Sequence, residues 1–239
     1  MRGFLVFTLL ALVGLGAVVV YVLPALVGPM VVTAVRDALP FGDQPLQIDP
    51  TVTGAGLLGG AVDEIRVRGT SLAVTGRNAG VTIGKLDVTV HHVSIGDHAF
   101  DAVSGGLDDV AFTMSNGVPV TISRIDLTGG STAVTGEAQF DPNQAITFIT
   151  RSFADAGIQV DGVQLEDGDV ALMVFGQRVA FAIGVQDGAL VVPDALGAGP
   201  ITLLAPGPDD QWRLTGASVT PGGLDIDAVV NAATLLAGG

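Results

Sequence analysis

The chain has 239 residues, 24 Asp and Glu against 10 Lys and Arg, a formal net charge of −14 and no cysteine. Every acidic residue lies beyond Arg36. That excess argues against nucleic-acid binding, which needs clustered Lys and Arg to displace counterions from phosphate, and against adhesion to anionic headgroups by charge alone. Without cysteine there is no disulfide framework and no thiol chemistry.

From Phe4 to Val35 there is no charged residue. Phe4 to Leu23 is long enough for a membrane-spanning helix, which needs about 20 predominantly apolar residues, and Pro24 ends or bends it. A cleaved signal peptide is the alternative, with Gly14-Leu15-Gly16-Ala17 as its small-residue site. The apolar run continues through Val18 to Leu23, which favours an uncleaved signal anchor over residues 1–36. Arg2 and the terminal amine set against Arg36 predict an N-inside orientation. Residues 37–239 are then displayed on the extracytoplasmic side, periplasmic or towards the cell wall.

That domain reads as strands. The chain's 34 Gly, all but four of them in this domain, and its low charged fraction of 14%, with frequent Val and Thr, suit antiparallel sheet broken by turns. Val62 to Arg68 alternates cleanly. Val81 to Ile95 also alternates, but its apolar parity changes near Gly84-Lys85, where a bulge is expected, and again at His91-His92. Val118 to Leu127 and Ser131 to Phe140 form a hairpin around Gly129-Gly130. Val163 to Leu165, Val170 to Phe175, Val179 to Val185 and Ala189 to Val192 are separated by turns at Asp167-Gly168, Gly176-Gln177 and Asp187-Gly188. Trp212 to Thr220 and Leu224 to Val230 pair around Pro221-Gly222-Gly223.

Two helices are expected outside the membrane segment. One runs from Ala25 to Leu39 and continues the anchor. The other has Asp141 as N-cap, Pro142 at its first position, a body to Ala156 and Gly157 as its stop. Ala145, Ile146, Phe148, Ile149, Ser152, Phe153 and Ala156 share a wide face that must bury against sheet. The predicted class is α+β, mainly β: an N-terminal transmembrane helix, then a strongly curved antiparallel sheet wrapped around a helix.

No constellation supports catalysis. His91, His92 and His98 could suggest zinc, but neighbours on a strand point to opposite faces. Of the carboxylate pairs Asp63-Glu64, Asp108-Asp109, Glu166-Asp167 and Asp209-Asp210, most read as residues in or beside turns, and Asp167-Gly168-Asp169 lacks the spacing and terminal Glu of a calcium loop. Gly54-Ala55-Gly56-Leu57-Leu58-Gly59-Gly60 has no Lys-Ser/Thr ending and reads as a loop presenting two leucines. No enzyme activity, metal or cofactor is expected.

The run from Ile48-Asp49-Pro50-Thr51 through Gly56-Leu57-Leu58-Gly59-Gly60 to Val62-Asp63-Glu64-Ile65-Arg66-Val67 resembles the start of the LmeA-like phospholipid-binding family of bacterial envelope proteins. Gly80-Val81-Thr82-Ile83 into Leu86-Asp87-Val88 resembles that family's next strand. Phe140 to Ile146 is similar to its central helix start, and Leu214 to Leu224 to its closing hairpin. The resemblance implies a tubular lipid-binding (TULIP-like) architecture with an apolar groove, and a part in envelope lipid or glycolipid homeostasis. The expected partner is a phospholipid or other amphiphile, at a membrane reached through the N-terminal helix. Phe140, Ile146, Phe148, Ile149, Phe153, Met173, Phe175 and Phe181 are expected to line the interior, with Leu57 and Leu58 on a loop that dips towards the bilayer. The alternative is a structural or scaffold ectodomain with a filled core and no lipid ligand.

Overall fold

The computed structural model describes residues 32, 33, 36, 39, 41–53, 60–75, 80–94, 99–113, 119–193, 199–206 and 212–231. The expected membrane span Phe4 to Leu23, the Leu57-Leu58 loop and His98 lie outside them, while Val32, Thr33 and Arg36 of the expected Ala25 to Leu39 helix are described and helical. Among the described residues no helix is long and apolar enough to cross a membrane.

Among the described residues the chain is mainly β, with a large antiparallel sheet and a helix that follows its sixth strand. The strands are β1 (Leu46–Thr51), β2 (Ala61–Thr75), β3 (Gly80–Ser94), β4 (Ala99–Thr113), β5 (Pro119–Gly129) and β6 (Ala133–Phe140). After helix α1 (Pro142–Asp155) come β7 (Gly162–Leu165), β8 (Asp169–Val174), β9 (Gln177–Ala182), β10 (Gly184–Gln186), β11 (Ala189–Val192), β12 (Ile201–Leu204), β13 (Trp212–Thr220) and β14 (Gly223–Asn231). β1 to β6 run as an up-and-down meander. β14 and β13 then complete an eight-stranded sheet in the order β1-β2-β3-β4-β5-β6-β14-β13. The remaining strands form two three-stranded sheets, β7-β8-β9 and β10-β11-β12.

α1 forms because its ends are closed locally. The Asp141 carboxylate accepts from the Gln144 N–H at 3.0 Å, and Pro142 costs the first turn no hydrogen bond. At the other end Gly157, with φ +82°, donates to Ala154 O while Ile158 N–H reaches Phe153 O at 2.9 Å. These are the two bonds of a Schellman stop. The buried face carries Ala145, Phe148, Ile149, Ser152 and Phe153, and it packs between β5, β6 and β14 of the large sheet and β7 and β12 of the small ones.

The parity changes in β3 are present, but not through an inserted residue. Val81 and Ile83, then Leu86, Val88 and Val90, then Val93 are all buried. Pairing with β2 and β4 nevertheless keeps one register along the whole of β3. The inversion is instead shared across strands. β2 switches between Val67 and Leu72, β4 between Leu107 and Val110, and β5 between Ile122 and Ile125. The residues facing Gly84 from β2 and β4 are Ser71 and Asp109, with φ +53° and +54°. In β2 and β4 one left-handed residue marks the inversion without lengthening the strand, while β3 and β5 invert with no positive φ at Gly84, Ser123 or Arg124. A second line runs through Asp63, His92 and Asp101, with His92 at φ +49°. Since every inward residue belongs to one continuous core, the two lines keep the apolar side chains of these long strands facing inward.

Candidate functional site

Six of the expected interior residues converge on α1. Phe148 stacks on Phe140 of β6 with ring centroids 5.7 Å apart, and Phe153 on Phe181 of β9 at 5.9 Å. The helix thus ties the large sheet to the β7-β8-β9 sheet through two aromatic pairs. Ile149 and Phe153 are 0% exposed, Phe140 and Phe148 are buried, and Ile146 and Phe181 are half-buried against the core. Ser152, the buried polar residue of this face, donates to Phe148 O at 2.9 Å, with Leu203 O of β12 at 3.5 Å. A side chain with no exposed surface touches protein on every side. In this conformation Ile149 and Phe153 fill the core and do not line an open groove.

Met173 and Phe175 require correction, because neither lines the interior. Phe175 is 94% exposed and Met173 38% exposed. The turn between β8 and β9 falls one residue earlier than expected, with Val174 paired to Gln177 and Phe175-Gly176 as its two central residues. Phe175 therefore sits at a hairpin tip, and Met173 is on the face of β8 opposite to buried Leu172.

The outer face of the large sheet carries a ladder of ion pairs that sequence reading missed. Arg68 binds Asp49 at 2.5 Å, Arg66 clasps Asp87 through two bonds of 2.8 and 2.7 Å, and Lys85 lies 3.7 Å from Asp108. Arg124 contacts Asp108 at 3.1 Å and grips Asp126 at 2.6 and 2.7 Å. The signal available was the placing of Arg66, Arg68, Lys85 and Asp87 at alternate strand positions. The hydrogen bond from Arg66 holds the Asp87 carboxyl below its usual range, and that from Arg68 does the same for Asp49. Asp63 is lowered chiefly by the Thr53 N–H, at 2.5 Å from its Oδ2. Asp63-Glu64 lies in β2, within the strand expected from Val62 to Arg68, whereas Asp108-Asp109 is mid-strand in β4 and not a turn.

Arg66, Asp87, Asp108, Arg124, Asp126 and Glu137 rim a shallow open trough of about 600 Å³ whose floor includes Gly105 and Gly106. A Cβ at Gly105 would lie 2.2 Å from Asp87 O, so glycine there lets β3 and β4 approach. Of its rim charges, Arg66 pairs with Asp87 and Arg124 with Asp108 and Asp126, while Glu137 has only a 3.5 Å contact with Gln139 Nε2. His91 Nδ1 lies 3.6 Å from Glu64 on β2, and no cluster of three metal-ligating side chains occurs among the described residues. Comparison with family models, curated proteins and solved structures finds no match.

Proposed function

We propose that this is a non-enzymatic protein, tethered through its N-terminal apolar segment, that binds phospholipid or a related amphiphile at the outer face of the cytoplasmic membrane. The observation that carries this reading is the length of the apolar interior. β3 has 15 residues, about 50 Å at ~3.3 Å per residue, with buried apolar side chains from Val81 to Val93. α1 has 14 residues and spans only about 21 Å. The two inversion lines, marked by left-handed Ser71, Asp109 and His92, are where such long strands would bend, giving the strongly curved sheet around a helix that an LmeA-like, TULIP-like protein would have. Each acyl CH₂ transferred into that interior gains about 0.8 kcal/mol, so roughly ten buried carbons give micromolar binding or better after ordering costs. Envelope lipid or glycolipid homeostasis is the corresponding role.

The zero exposure of Ile149 and Phe153 favours a second reading, a scaffold ectodomain with a filled core. Titrating residues 37–239 with a phospholipid bearing a fluorescent acyl chain separates the two. Saturable uptake near one lipid per chain supports lipid binding, whereas no uptake by the folded domain leaves the scaffold.

A further inference from the structure

The turn at the end of β8 holds a residue that its own geometry does not ask for. Phe175 and Gly176 have φ +51° and +74° and close a two-residue hairpin of the kind that calls for Asn-Gly or Asp-Gly. The molecule follows that rule at β10–β11, where Asp187-Gly188 has φ +52° and +77° between paired Gln186 and Ala189. At β8–β9 the first place is taken by a phenyl group that is 94% exposed. Neither turn chemistry nor core packing accounts for it, and a bulky side chain is disfavoured in that conformation.

We propose that this hairpin tip, with Phe175 leading and Met173 behind it, docks at the interface of a lipid bilayer. The proposal rests on the tether of the preceding reading but not on lipid cargo. Three observations favour a bilayer over a protein partner. The apolar surface is one protruding ring on a two-residue turn, far short of the roughly 800 Å² per partner of a stable protein interface, whereas aromatic rings seat readily at headgroup depth. The expected membrane span ending at Leu23 is joined to β1 at Leu46 by a segment of at most about 80 Å when fully stretched, so a bilayer holding that span lies within reach. The cation of the tip, Arg178, is bonded to Glu166, and the chain carries a net charge of −14. The contact is therefore apolar, suited to zwitterionic lipid and disfavoured by anionic headgroups.

The chain lacks cysteine, so Gln177→Cys supplies a unique site for a spin label beside the tip, with Thr128→Cys on β5 as the aqueous reference. The full chain is reconstituted in phosphatidylcholine vesicles, and collisions with oxygen and with a water-soluble nickel complex are measured. The label at 177 is expected to be shielded from nickel and open to oxygen relative to that at 128. Phe175→Asn should lower the docked-to-free ratio about ten-fold or more. The same variant suits the turn, so its unfolding midpoint should hold or rise, which excludes misfolding as the cause. Equal nickel access at both labels in a chain that floats with vesicles overturns the tip contact and leaves the tether standing. A folded chain that does not float overturns both. Shielding that persists in detergent and disappears on dilution identifies a second copy as the occupant and also overturns the proposal.

Discussion

Gly84 is the residue on which the first inversion line turns, and its replacement by alanine tests that account of the sheet. A Cβ at this position would stand 2.8 Å from Asp109 Cβ and 3.2 Å from Asp108 O. The first of these neighbours is the root of a side chain and cannot swing aside, so overpacking of about 1–3 kcal/mol is expected for Gly84→Ala. Asp109→Gly removes that atom and relieves the left-handed φ of +54°, while glycine adds about 0.5–1 kcal/mol of unfolded-state entropy; its net effect should be within about 1 kcal/mol of zero. In the Asp109→Gly background only the 3.2 Å contact with Asp108 O remains of the close approaches, and the cost of Gly84→Ala should fall. Urea titration of the four proteins of this cycle should give a coupling of about 1 kcal/mol. Equal costs in the two backgrounds, within the ~0.3–0.5 kcal/mol typical of independent sites, would refute the idea that these two residues form one structural unit.

Other consequences can be measured on the same domain. Phe153→Ala removes a fully buried ring that stacks on Phe181; a loss of about 3–5 kcal/mol is expected, read as a lower urea midpoint. Asp141→Ala deletes the N-cap acceptor of Gln144 N–H and should cost about 1 kcal/mol, with a matching loss of helical signal at intermediate urea. Asp49, Asp63 and Asp87 all have folded pKa values below the ordinary carboxylate value. In acid the unfolded chain therefore binds more protons than the folded one, and stability present above about pH 4 is lost as pH falls through the folded values. Asp87→Asn should flatten that acid slope in pH-dependent thermal melts, and an unchanged slope would show that Arg66 does not hold the carboxyl down.

What the sequence disclosed follows from how local each signal is. α1 was legible almost to the residue because Asp141, Pro142 and Gly157 act through bonds within one turn of the helix. β4 was not, because Gly105-Gly106 and Asp108-Asp109 carry the composition of turns. In the sheet those glycines allow close approach to β3, while Asp108 is held by Lys85 and Arg124 from its two neighbours. The parity change at Gly84 was visible in β3, yet its register partners Ser71 and Asp109 lie on other strands, and pairing between strands cannot be read from one of them. Phe175 was placed inside on hydrophobicity alone. A one-residue error in the turn put the ring on the wrong side of the hairpin end, and only the pairing of Val174 with Gln177 corrects it. The convergence of Phe140, Phe148, Ile149, Phe153 and Phe181 was foreseeable as burial, but their close packing was not.

The most direct test of the account is native mass spectrometry, with lipid extraction, of residues 37–239 expressed beside a membrane and purified without detergent. The account predicts a stoichiometric phospholipid or glycolipid adduct that survives purification and is released on unfolding. A clean apo mass for a folded domain that also takes up no added lipid would contradict it, and would leave the filled-core scaffold as the description of this protein.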